Sequence, residues 1–406
     1  MDIAILGGGM LGLCTALELA RRGRRSTVFE AASTALCGAS RWSEGKIHLG
    51  FVYAGDPTLH TARRLIPGGL AFAGLVHRLV GRSLDAFITT EDELFLVHRD
   101  SVVGADAFEA YGKRTAALVR EATAQAHAPG YLCDVRNASI RRLSAAELAG
   151  VTEAEEVVAG FAAPERSIST VAIADLVHRA AADEPLIDIR TDVRIGAVER
   201  RDGRLVVRAD VASADADAAD AVFDVVVNAL WEGRPAVDAS LGIQPIAAWS
   251  HRFRAAIFAH ASDVSFRSAV LCTGPFGDVK CYADGRVYLS WYPAGLVAEG
   301  HSIEPPRASA VLDTARGHAV LENTLRSLTR YFPAIRQLQA SGAVLEVHGG
   351  WVYALGQGSL ADPASTLHRR DRFNMTIDRG YISVDTAKYS LAPWLARQVA
   401  ETIAPG

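Results

Sequence analysis

Asp2-Ile3-Ala4-Ile5-Leu6-Gly7-Gly8-Gly9-Met10-Leu11-Gly12, at the head of the chain, joins an apolar run to a G-x-G-x-x-G turn. Such a run suits a parallel strand buried on both faces. Beyond it Leu13, Ala16, Leu17 and Ala20 recur at helical spacing until Gly23 stops the helix. Ser26-Thr27-Val28-Phe29 then reads as a second strand, closed by Glu30. Each part of this strand–turn–helix–strand unit has a task. Gly7 makes the tight turn, Gly9 lets the backbone approach a pyrophosphate, and Gly12 lets helix and strand pack closely. Met10 and Leu11 open the helix, whose free N–H groups and partial positive charge face the phosphates. Glu30 is placed to accept hydrogen bonds from ribose hydroxyls and disfavours a 2′-phosphate, so NADP is not expected. The unit predicts a bound dinucleotide.

The next segment chooses between FAD and NAD. Gly38-Ala39-Ser40-Arg41-Trp42-Ser43-Glu44-Gly45-Lys46-Ile47-His48-Leu49-Gly50-Phe51-Val52-Tyr53 is small and polar where an NAD dehydrogenase continues with another regular βα unit. It resembles the second signature of the D-amino-acid-oxidase-like flavoprotein superfamily. The I-H-x-G-x-x-Y pattern from Ile47 to Tyr53 looks most like FAD-dependent glycerol-3-phosphate dehydrogenases and L-2-hydroxyglutarate oxidases. The resemblance implies that this stretch follows the pyrophosphate to the flavin. Ser40, Arg41 and Lys46 would then contact FAD, and His48 would lie near its ring as the first candidate base.

The end of the chain carries the resemblance further. Gly380 to Val384 reads as a strand, followed by Asp385-Thr386-Ala387-Lys388 and a helix from Tyr389 towards Thr402. This is similar to the closing strand–G-G-K–helix element of the glycerol-3-phosphate dehydrogenase family. By that likeness Thr386, Ala387, Lys388 and Tyr389 face the cofactor, and the helix start stabilises charge on the reduced ring. The family's β-meander and returning strand correspond to Asp188–Arg200, Arg204–Val211 and Phe223–Ala229, with Asp202-Gly203 as a hairpin turn. The Ala/Asp-rich stretch Ala212 to Ala221 between them reads as an exposed loop. Val193 would offer its backbone to adenine, and Asn228 and Ala229 would close the site, although Leu230 and Trp231 depart from the usual small turn.

The fold expected is α/β, or α+β over the whole chain. A Rossmann-like FAD-binding domain of glutathione-reductase type is built from both chain ends, with an antiparallel-sheet substrate domain inserted. Residues 1–75, 140–235 and 345–406 are assigned to the first, and 76–139 and 236–344 to the second. In the substrate domain, Lys280 sits on a strand edge as a candidate for charge stabilisation, and His251 is a third candidate base. Related enzymes often hold an acid with an arginine in a G-x-R-P-like run. Here Trp351-Val352-Tyr353-Ala354-Leu355 replaces it, leaving Tyr353 and Arg252 as substrate contacts, with Arg41, His251 and Arg369 as further substitutes for that arginine.

The totals narrow the class. The 406 residues are half hydrophobic with a net charge of −4, without the basic face a nucleic-acid binder needs. No apolar run approaches the roughly 20 residues that span a bilayer, and a cytoplasmic location is the default expectation. The five cysteines show no C-x-x-C spacing, so neither a metal site nor a covalent flavin link is expected. Only four of the 42 basic residues are lysines, namely Lys46, Lys113, Lys280 and Lys388, which makes each a candidate for a role arginine cannot fill. The leading function is hydride removal from a CH–OH or CH–NH carbon of a small molecule to FAD, with O2 or another acceptor downstream. A flavin monooxygenase and a non-catalytic flavin-binding subunit are the alternatives.

Overall fold

The computed structural model describes residues 1–125, 130–210 and 221–405. Ile3–Leu6, wholly buried, pairs in parallel with Ser26–Phe29 on one side and Val225–Asn228 on the other. Ile187–Arg190 and Tyr381–Val384 extend the parallel sheet at its two ends, and Met375–Asp378 adds an antiparallel edge, giving six strands. Every residue of the first helix, Met10–Ala20, is buried. It packs against the last helix, Ala392–Ile403, so the two ends of the chain share one core.

The meander departs from expectation at one residue. Asp188 to Arg200, read as one strand, is two: Ile187–Arg190 in the parallel sheet and Ile195–Arg201 in a separate three-stranded sheet. Asp192 between them is left-handed, with φ 60°. Its N–H and that of Val193 turn to the carbonyls of Ala32 and Glu30 instead of continuing the strand. The hairpin turn at Asp202-Gly203 has φ of 52° and 79°, the paired positive angles of a tight hairpin. Of the Ala/Asp-rich stretch Ala212 to Ala221, only Ala221 lies within the described residues, and it begins the strand Ala221–Phe223.

A nine-stranded sheet forms the other half of the molecule. Ser250–His260 is its long spine. It pairs with Leu345–Ala354 along one side and with Leu296–Gly300 and Arg286–Trp291 in succession along the other. Gly277–Cys281, Ala269–Cys272, Glu93–His98, Val157–Ala163 and Arg141–Arg142 follow outward. Arg141–Arg142, Val157–Ala163 and Leu345–Ala354, expected in the cofactor domain, therefore pair in this sheet. Lys280 is likewise corrected: its strand lies between two others and its side chain is fully buried, so it is not at an edge.

Alternation along these strands gives the sheet two unlike faces. Ile257, Val279, Val287 and Leu289 point one way and pack under Leu328, Tyr331 and Ile335 of the helices Thr314–Tyr331 and Ile335–Ala340. Asp313 caps the longer helix by accepting from the Arg316 N–H. The alternate residues, including Arg252, Arg254, Asp278, Tyr288 and Ser290, face the six-stranded half across a shared cavity. Among the described residues no helix is long and apolar enough to cross a membrane.

Candidate active site

The cavity has a volume of about 830 Å³ and begins at the first turn of the chain. Gly7 has φ of 100°, and a Cβ on Gly12 would lie 1.9 Å from the Gly7 carbonyl oxygen. Only glycine allows helix and turn to approach so closely. The Met10 N–H at the helix start donates to Ser40 Oγ at 3.0 Å, fixing the second segment against the first. Glu30 accepts from the N–H groups of Gly8 and Ala32, each at 2.9 Å. Burial raises its carboxyl above the usual range, against the pull of those backbone donors. Gly7, Gly9, Met10, Leu11, Glu30, Ser40, Val193 and Ala229 all line this end, while Gly12 supports it from behind.

Two expected contacts point elsewhere. Arg41 is held by Asp175 at 2.5 Å and by the Leu36 carbonyl, so its charge is already used outside the cavity. The Asn228 amide donates to the Arg234 carbonyl, to Asp238 at 3.0 Å and to the Tyr381 hydroxyl, which makes it a support of the wall rather than a lining residue.

Farther along, Lys46, His48, Thr386, Ala387, Lys388 and Tyr389 all line the cavity. Ala387 takes a left-handed φ of 51°, where a glycine would be at ease. Its N–H donates to Asp385 at 2.9 Å, and Arg234 pairs with that carboxylate at 3.5 Å. Lys388 is thereby turned into the cavity. Burial, followed by the repulsion of Arg370, brings its ammonium down to about 8.

At the far end three guanidinium groups gather round Tyr292. Arg252 donates to its hydroxyl at 3.1 Å. Arg254 lies 3.8 Å over its ring and donates to Ser290 Oγ at 3.0 Å. Arg370 completes the group, lowered to about 10 by burial and then by Arg252. Among the described residues none of these arginines, nor Lys388, forms an ion pair. Arg254 and Arg370 were not foreseen. The signal for Arg254 was its position two residues after Arg252 on a strand. Arg369, named from the sequence, binds Asp371 instead, and its neighbour Arg370 enters the cavity.

Behind the cavity lies a buried cluster of opposite charges. Glu93 binds Lys280 at 2.6 Å and Lys46 at 3.3 Å, and Lys280 also meets Asp278 at 3.2 Å. Lys280 therefore does not line the cavity, although Lys46 and Asp278 do. His48 Nε2 lies 3.4 Å from the Tyr53 hydroxyl. Burial, with Lys388 next, holds its imidazole neutral well below the usual range. His251 and Tyr353 are register partners on adjacent strands and share the side opposite Arg252 and Val352. Both are fully buried outside the lining, His251 between Trp351 and Tyr353.

A family model described as FAD dependent oxidoreductase, DAO, matches residues 2–401. The chain belongs to that family. No curated protein matches it significantly in sequence. Among solved structures it is similar to glycine oxidase from Geobacillus kaustophilus, with TM-score 0.66, 15% identity, and 98% and 93% of the two chains covered. Iminodiacetate oxidase from a Chelativorans species gives TM-score 0.66 at 16% identity over 99% and 95%. L-α-glycerophosphate oxidase from Mycoplasma pneumoniae, with FAD bound, gives 0.66 at 14% over 98% and 94%. The protein is an FAD-dependent oxidoreductase, and its residues fit that cofactor. The glycine cradle keeps side chains out of the space a pyrophosphate needs, Glu30 lines the cavity beside it, and the buried His48 Nδ1 has no hydrogen-bond partner among the described residues.

Proposed function

We propose that this flavoenzyme oxidises a small acid at a carbon bearing an N–H or O–H group. The observation that carries this reading is the convergence of Arg252, Arg254 and Arg370 on Tyr292, none of them in an ion pair among the described residues. Buried cations without an ion-pair partner are costly, and an anionic substrate offsets that cost. Bound FAD supplies a hydride acceptor. The protein's own groups hold the acid, exclude water and accept the departing proton. Electrons leave to O2 or another acceptor. The structural neighbours named above act, by their titles, on glycine, iminodiacetate and L-α-glycerophosphate, all small molecules with an acidic group. That common chemistry agrees with an arginine-lined cavity.

Redox-inert probes test this directly. Acetate and benzoate should perturb the flavin absorption band of the holoenzyme, whereas acetamide and benzamide should not. Arg254→Met and Arg370→Met should each weaken acetate about 10–100-fold, the loss of one charged hydrogen bond. Equal responses to acid and amide would remove the reading.

A further inference from the structure

We infer that Asp278, paired with Glu44, is the catalytic group that takes the proton from the substrate's N–H or O–H as its carbon is oxidised. This inference rests on the proposed function. Both carboxyls line the cavity, one from each half of the molecule. Asp278 is 6% exposed, and its buried Oδ2 faces the Lys280 ammonium at 3.2 Å. Its position is set by the sheet. Asp278 is the register partner of Ser290, and Ser290 Oγ holds the Arg254 guanidinium at 3.0 Å. Neighbouring strands lie about 5 Å apart. An acid held by Arg254 therefore places the next atoms of its chain beside Asp278.

The groups facing Asp278 come from every element packed on it. Lys280 is on its own strand, and Tyr288 and Arg254 are on the two strands beyond. Glu44 and Lys46 come from the cofactor segment, with Glu93 bridging the two lysines. Burial raises Asp278 to about 7, against the attraction of Lys280 and with the help of Glu44. Burial would raise Glu44 too, but Lys46 and Lys388 hold it at about 2. Two hydrogen-bonded carboxyls in a buried site favour sharing a proton, and the lysines beside Glu44 favour that proton on Asp278. His48 is a poor rival, since its imidazole is disfavoured from holding a proton.

The step balances. The substrate's C–H bond breaks with its electron pair leaving as hydride, reducing FAD by two electrons. The N–H or O–H bond breaks, its electron pair becomes the second bond to carbon, and the proton goes to the Asp278 carboxylate.

Two arms test it on the FAD holoenzyme. The infrared arm needs no substrate. Subtracting the Asp278→Asn spectrum from that of the wild type should leave a protonated-carboxyl band that vanishes as pH rises through about 7, because other buried carboxyls such as Glu165 and Glu232 contribute to both spectra. Glu44→Gln, which removes the neighbouring negative charge, should move the midpoint down. The kinetic arm follows anaerobic flavin bleaching by glycine, L-proline, iminodiacetate, L-lactate and glycerol 3-phosphate. For any compound that bleaches, the rate should rise with pH through the same midpoint. Asp278→Asn should slow it about 10²–10⁴-fold and flatten the profile, with acetate binding unchanged, and Asp278→Glu should restore part of the rate. The absence of that difference band, or an Asp278→Asn rate profile like the wild type's, overturns the assignment. Failure of every compound to bleach would count against the proposed function instead, while the infrared arm would still decide whether Asp278 holds the proton.

Discussion

Lys280 shows what a single residue reveals and conceals in sequence. Its rarity as a lysine marked it, yet its ammonium is spent on Glu93 and Asp278 inside the sheet. Removing it leaves Asp278 without its ion-pair partner and Glu93 with Lys46 alone in a dry place. Lys280→Met should therefore cost about 3–5 kcal/mol in a denaturant melt. Lys388 behaves differently, because it opens on the cavity. Its ammonium is lowered to about 8, so it is cationic below that pH and neutral above it. Acetate binding should weaken as pH rises past about 8, and Lys388→Met should abolish that dependence. His48→Asn should keep FAD, change the bleaching rate less than about tenfold, below the usual contribution of a catalytic acid or base, and leave the pH midpoint where it was. A flat profile in that variant would return the base to His48. None of these roles is legible from residue type alone, since each depends on which neighbour across the sheet neutralises the charge.

Elements were read well where local pattern and tertiary place agree. The opening strand and helix, the Asp202-Gly203 turn and the closing Tyr381–Val384 strand follow from apolar runs and turn chemistry. Gly12→Ala should abolish FAD binding, seen as loss of the yellow colour, because the new Cβ would meet the Gly7 carbonyl oxygen at 1.9 Å. Failures came where tertiary pairing overruled a local run. The break at Asp192 is made by hydrogen bonds from another segment, and Leu345–Ala354 joins the large sheet because Ser250–His260 offers it a full-length partner. The apolar face of that sheet carries stability rather than chemistry. Leu289→Ala should cost about 2–5 kcal/mol with little change in acetate affinity.

Over the whole molecule, the cofactor end of the site was readable because its motifs are contiguous, within the first 60 residues and the last 30. The substrate end was not, because it is assembled from positions far apart in the chain. Arg252, Arg254, Asp278, Tyr292 and Arg370 meet only when a nine-stranded sheet is laid over the FAD-binding half. Strand alternation then decides which of two neighbours, Arg252 or His251, faces the chemistry. The most direct measurement is the absorption spectrum of the purified holoenzyme, followed without oxygen while small amino and hydroxy acids, their amides and NAD(P)H are added in turn. The flavin band should bleach with at least one acid and stay unchanged with its amide and with NAD(P)H. Bleaching by NAD(P)H alone, or by neutral compounds as readily as by acids, would contradict an acid-oxidising flavoenzyme.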